Sequence, residues 1–181
     1  MVAIREDLDK ATLEELVAAM NRFVRDSAAE GVPFVDVERR TLEMTQLFGR
    51  LSLEMFVKCQ GDGDLGATRE AGDETTLHRS EKRRDRSLRT VFGVIDVVAY
   101  VYLLAPEDQH GAVGLRPVDA RMGLSDRSTS YLYEELSQLF CVEQAFGRAQ
   151  ESMQRVFGHS AAVRAWLSGE MRMRRPLDSS A

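Results

Sequence analysis

Cysteine is scarce in this sequence: Cys59 and Cys141 stand 82 positions apart, and neither belongs to a CxxC pair. That excludes a disulfide scaffold and a thiolate zinc site, and it leaves two reduced thiols as the reading. Long apolar runs are missing too, since no stretch approaches the ~20 residues that a membrane-spanning helix requires. The first residues, Met1 to Asp7, are already charged and lack the apolar core of a signal peptide, so the expected location is the cytoplasm. The three histidines, His78, His110 and His159, fall in separate loops or turns without an HxxxH or HxxE partner, and no serine sits in a G-x-S-x-G elbow. No Gly-Lys-Ser/Thr follows the glycines, so there is no phosphate loop. Basic residues are outnumbered, 24 against 29 acidic, for a net charge of −5. That argues against a chain wrapped wholly in nucleic acid, although a total says nothing of local charge.

What is present is a globular composition, 181 residues with 44% hydrophobic and 29% charged. Thr12, with Glu15 three residues on, makes a capping box, and Leu13, Leu16, Val17, Met20, Phe23 and Val24 recur at helical steps. Gly31-Val32-Pro33 ends that helix, and a second is predicted from Phe34 to Gln60, carrying Val37, Leu42, Met44, Leu47, Phe48, Leu51, Met55 and Phe56. Together they form a helical hairpin over residues 1–60, with 8 basic and 11 acidic residues. Residues 61–125 form a second region that starts with the glycine-rich Gly61-Asp62-Gly63-Asp64-Leu65-Gly66, which cannot be regular structure. A basic run follows, with six Lys/Arg against two acids between His78 and Arg89. Val91 to Tyr102 reads as a strand with a bulge or bend at Gly93, and Val113 to Val118 as a short returning partner after turn residues 106–111. In residues 126–175, Ser128, Thr129 or Ser130 caps a helix with Leu132, Leu136, Leu139 and Phe140. A second helix runs from Gln144 to Phe157 with Phe146, Ala149, Met153 and Phe157 inward. Gly158-His159-Ser160 then breaks to a third helix with Val163, Trp166 and Leu167 inward, Trp166 being assigned to packing. That pattern fits a helix-turn-helix-like three-helix unit, and residues 176–181 are a frayed tail. The fold class is therefore mainly α with a small antiparallel β insert of two or three strands.

Asp62, Asp64, Asp73 and Glu74 invite a metal reading. A calcium loop starting at Asp62 wants glycine sixth and glutamate twelfth, where this sequence has Ala67 and Asp73, so that reading fails. The favoured reading is a solvated turn whose aspartates bond nearby amides. The basic run offers phosphate contacts through Arg79, Lys82, Arg83, Arg84, Arg86 and Arg89. A second basic zone, between Phe146 and Arg175, holds Arg148, Arg155, Arg164, Arg172, Arg174 and Arg175 against two acids; Arg164 would lie on a recognition helix, with Arg172, Arg174 and Arg175 at its end.

The boxes Gln60-Gly61-Asp62-Gly63-Asp64-Leu65-Gly66, Ser87-Leu88-Arg89-Thr90-Val91-Phe92-Gly93, Val101-Tyr102, Arg116-Pro117-Val118-Asp119-Ala120-Arg121-Met122-Gly123-Leu124 and Ser130-Tyr131-Leu132 occur in one order. In this the sequence resembles the N-terminal half of ISKra-type bacterial insertion-sequence transposases, over roughly residues 35–172. Two positions depart from the family pattern: Ala99 stands where an arginine is usual, and Val118 where a leucine is. The resemblance implies a region that binds double-stranded DNA at the ends of a mobile element and is not itself catalytic. The family's acidic catalytic residues and their two divalent ions belong to a downstream ribonuclease-H-like domain beyond the matched half, so no metal or other cofactor, no catalytic residue, no membrane and no small-molecule substrate is expected here. Asp62 and Asp64 match a box without being the family's catalytic acids. The alternative is a helical interaction module that forms a homo-dimer through the N-terminal hairpin and never touches DNA. A metal-dependent nuclease built on Asp62 and Asp64 is the third class.

Overall fold

The computed structural model describes residues 12–71, 75–104, 113–143 and 146–159, and it is an α+β fold. Helix α1 (Leu13–Glu30) begins at the capping box: Thr12 accepts from the Glu15 N–H at 3.2 Å, and the Glu15 carboxylate accepts from the Thr12 N–H at 2.7 Å. It ends at Gly31, whose φ of 68° is a left-handed cap that a side chain would strain. Pro33 opens α2 (Phe34–Cys59), which packs back along α1 as the predicted hairpin. Burial is thinner than the periodicity suggests, for only Leu16 and Ser27 of α1 and Met44 of α2 are fully buried.

The β region is larger than the sequence implies. Strands β1 (Thr68–Ala71) and β2 (Thr75–Arg79) pair antiparallel inside what reads as loop, then β2 pairs β5 (Tyr102–Leu103) and β5 pairs β6 (Val113–Leu115). A separate hairpin joins β3 (Arg84–Thr90) to β4 (Gly93–Ala99), from Arg84 opposite Ala99 to Thr90 opposite Gly93. The single strand predicted over residues 91–102 is thus corrected: Val91-Phe92 is the hairpin turn, and the basic run before it is the partner strand. The Thr90 hydroxyl stabilises this turn by accepting from Phe92 N–H at 3.1 Å and donating to the Gly93 carbonyl at 2.9 Å. The returning strand stops at Leu115, because Pro117 starts a short helix, α3 (Pro117–Met122), that takes in Val118.

Helix α4 (Tyr131–Glu143) is capped by Ser130, whose hydroxyl accepts from the Tyr133 N–H at 3.2 Å, and α5 (Phe146–Phe157) packs against it. Leu132 and Leu139 are exposed instead of inward; the buried line of α4 runs through Tyr133, Glu134 and Ser137. Tyr133, Ala149 and Met153 enclose Val91, and Phe92, Phe140 and Phe157 pack around them. A second cluster joins Val97 and Ala99 of β4 to Val118, so the position where an arginine is usual in the resembling family lies inside the core. The predicted third helix of the C-terminal unit, with Arg164, Arg172, Arg174 and Arg175, lies outside the described residues, as does the turn at 106–111. Among the described residues no helix is long and apolar enough to cross a membrane.

Candidate nucleic-acid interface

Three glycines set the path of the acidic loop between α2 and β1. Gly61, Gly63 and Gly66 have φ of 78°, 75° and 99°, in the left-handed region open mainly to glycine. The aspartates between them fold back on the backbone as expected: Asp62 accepts from the Asp64 N–H at 3.2 Å, and Asp64 from the Gly66 N–H at 2.9 Å. Their second oxygens do something the sequence did not disclose. Asp64 takes a hydrogen-bonded ion pair from Arg79, and Asp62 takes one from Arg83 at 3.0 Å. Both guanidinium groups also lie over the ring of Tyr100, at 4.8 and 5.6 Å from its centroid. The Gly66 N–H, and then the Arg79 guanidinium, hold Asp64 below the ordinary carboxylate value; Arg79 is raised in turn by Asp64. The loop docks on the sheet through its backbone as well. The Tyr102 hydroxyl accepts from Leu65 N–H and donates to the Gly66 carbonyl, both at 2.7 Å, and Tyr100 N–H donates to the Asp62 carbonyl at 2.8 Å.

The six cations proposed for phosphate contact in the basic run fall into four settings. Lys82 is exposed on the link between β2 and β3. Arg79 and Arg83 are half neutralised by the loop acids, which halve the +4 of the run. Arg84 and Arg89 sit half-buried on β3. Arg86 is turned inward: its guanidinium bonds Asp119 of α3 and the carbonyls of Ser125 and Arg127, and its side chain is only 11% exposed. Three internal acceptors, not phosphate, explain that arginine, which does not face a ligand as its place in the basic run suggests. A neighbouring network continues the link, with Arg127 bonding Glu134 at 2.7 Å and Thr129 bonding the same carboxylate at 2.6 Å. In the second basic zone, Arg148 and Arg155 are exposed on the outer face of α5.

The five boxes converge. The acidic loop meets Tyr102; Gly63 lies against Val118; Arg86, the residue just before the Ser87–Gly93 box, reaches Asp119; and Arg89 brackets the start of α4, its N–H donating to the Ser128 carbonyl and its carbonyl accepting from Ser130 N–H, both at 2.8 Å. Charge density was the signal available in the sequence, and it could not distinguish a cation facing solvent from one bridging segments thirty or more residues apart. Among the described residues no cluster of His, Cys, Asp and Glu could hold a metal ion. Asp62 and Asp64 pair with arginines, which joins the loop to the sheet. Compared with protein-family models, curated proteins and solved structures, the chain matches none.

Proposed function

We propose that this chain is a DNA-binding, non-catalytic portion of a transposase resembling the ISKra type. The observation that supports the reading most is the convergence of the five boxes on one framework, with the basic β2–β3 segment mounted on it. Residues scattered over seventy positions have a common purpose if they stiffen one surface. Phosphate contacts then fall first to the exposed Lys82 at the β2–β3 corner and to Arg148 and Arg155 on α5, with Arg83, Arg84 and Arg89 joining by exchanging the bonds they already hold. The test is fluorescence anisotropy of the full chain on duplex DNA across a salt series. The expected result is binding that weakens as salt rises, with Lys82→Ala lowering the slope of log K against log salt by about one. No binding at ~50 mM salt overturns the reading. A second reading, a helical interaction module without DNA contact, is favoured by one observation: six large apolar side chains stand exposed on α2.

A further inference from the structure

Helix α2 carries two seams. Val37, Met44 and Leu51, seven residues apart, are buried or half-buried. The other seam is largely exposed among the described residues. All six exposed large apolar side chains of α2 are Phe34, Val35, Leu42, Phe48, Met55 and Phe56. They occupy only two adjacent positions of a seven-residue repeat: Phe34, Phe48 and Met55, with Thr41, on one; Val35, Leu42 and Phe56, with Gly49, on the next. Phe92 of the β3–β4 turn closes over Gly49. Four residues beyond the first line runs a line of smaller side chains, Glu38, Thr45, Ser52 and Cys59. The Phe34 line and this smaller line together repeat in alternate steps of four and three over the whole 26-residue helix, which is the spacing of a coiled-coil contact with large side chains on one line and small ones on the other. The hydroxyls of Thr41, Thr45 and Ser52 each donate to the carbonyl four residues back at 2.8 Å, so these donors are satisfied within the helix.

We infer that this seam pairs antiparallel with the same seam of a second copy of the chain. The reason is size. Turned about the midpoint of the helix, Phe34 meets the partner's Cys59, Phe48 the partner's Thr45, Thr41 the partner's Ser52, and Met55 the stem of the partner's Glu38. Every layer then combines at most one bulky side chain with a smaller one, as knobs-into-holes packing requires, and the contact is self-complementary as a two-fold interface must be. Parallel pairing in register stacks Phe on Phe and sets two Glu38 carboxylates together. The six exposed side chains leave open roughly 600 Å² of apolar surface, at the top of the range for one patch on a monomer and about three quarters of the ~800 Å² per partner of a standard interface. The dimer does not depend on DNA binding: one is read by mass, the other by anisotropy, and either can fail alone.

Oxidative cross-linking of the full chain tests the pairing. Phe34→Cys places a thiol opposite the partner's Cys59, and a disulfide dimer forms about tenfold faster than in the natural sequence. The natural sequence cross-links poorly, because two Cys59 thiols at opposite ends of an antiparallel pair stand ~37 Å apart. Cys141 competes little, since burial pushes its thiol up to about 11. Sedimentation at micromolar concentration gives a dimer for the natural chain and a monomer for Thr45→Glu, an exposed position whose change leaves the circular dichroism spectrum intact. Rapid Cys59–Cys59 cross-linking without the substitution overturns the antiparallel register. A monomeric natural chain overturns the pairing outright, whether the seam proves bare or is covered by residues 1–11 or 160–181.

Discussion

Replacing Arg86 by methionine removes one guanidinium from three partners at once: the Asp119 carboxylate and the carbonyls of Ser125 and Arg127. The arginine is 11% exposed and Asp119 only 9%, so little water can take over these bonds. Breaking a buried pair from one side leaves the other charge uncompensated and typically destabilises by 3–5 kcal/mol, of order ~3 here because Arg116 stands 4.0 Å from the same carboxylate. For a chain of this size that is a fall of about 6–12 °C in melting temperature, or roughly 1.5–2 M in urea midpoint, followed by far-UV circular dichroism. Arg86→Lys keeps the charge but loses the planar fork that reaches three acceptors, and it falls between the two. Replacing both Arg86 and Asp119 with leucine recovers most of the loss, since an apolar pair leaves no orphaned charge. The reasoning is refuted by a loss under about 1 kcal/mol for Arg86→Met, and doubly so if DNA affinity drops while stability holds. In that case Arg86 would be the surface ligand that its place in the basic run suggests.

Two further perturbations probe the framework. Gly63→Ala and Gly61→Ala share a left-handed backbone and so about 1 kcal/mol of strain, but a Cβ at 63 meets Val118 at 3.1 Å and the Tyr100 carbonyl at 3.2 Å, while one at 61 meets nothing. Gly63→Ala therefore lowers stability by about 1 kcal/mol more, and equal losses would show that the loop is not docked on the sheet. His159 lies against the Tyr133 ring with its Nε2 3.3 Å from the Val91 carbonyl, and burial depresses its pKa below the ordinary 6.5. The unfolded chain then binds the proton more readily, so the stability held above pH 6.5 declines as pH falls below it. Melting curves from pH 7.5 to 5 should steepen downward below 6.5 for the natural chain and less so for His159→Gln; parallel curves refute the assignment.

The helical hairpin was legible because its signals are local: Thr12 with Glu15 closes a box three residues long, and Gly31 needs no partner to take a left-handed cap. Periodicity alone, however, marks an apolar face without saying what covers it, which is why Val17 and Val24 emerge exposed although they share the spacing of Leu16. Strand β3 was illegible for the opposite reason. Its inward positions, Arg84, Arg86, Leu88 and Thr90, alternate correctly, but two of the four are arginines, and Arg86 finds its acceptors 33 to 41 residues downstream. A run that hydrogen-bonds at such range looks, in sequence, like a solvated charge block. The Asx turns of Asp62 and Asp64 followed from residue type alone, whereas their second role as counter-ions required the loop to lie against β2, which nothing in the sequence announces.

This dual use of the loop acids bears on how the basic run can engage a polyanion. Each phosphate neutralised by a cation releases condensed counterions, so six independent cations would give a salt slope near 5. Arg86 is internal and cannot contribute. Arg79 and Arg83 can reach phosphate only by leaving Asp64 and Asp62, which must then recruit cations from solution and offset the release. The run therefore yields a slope well below the ~5 of six independent cations, with the exposed Lys82 its readiest contributor, unless the acids are removed. Changing Asp62 and Asp64 to asparagine keeps side-chain carbonyl acceptors for the amides within the loop while freeing both arginines, and it raises the slope by up to about two. An unchanged slope would mean that Arg79 and Arg83 stay beside Tyr100 in the complex, as part of the frame that holds the surface and not of the surface itself.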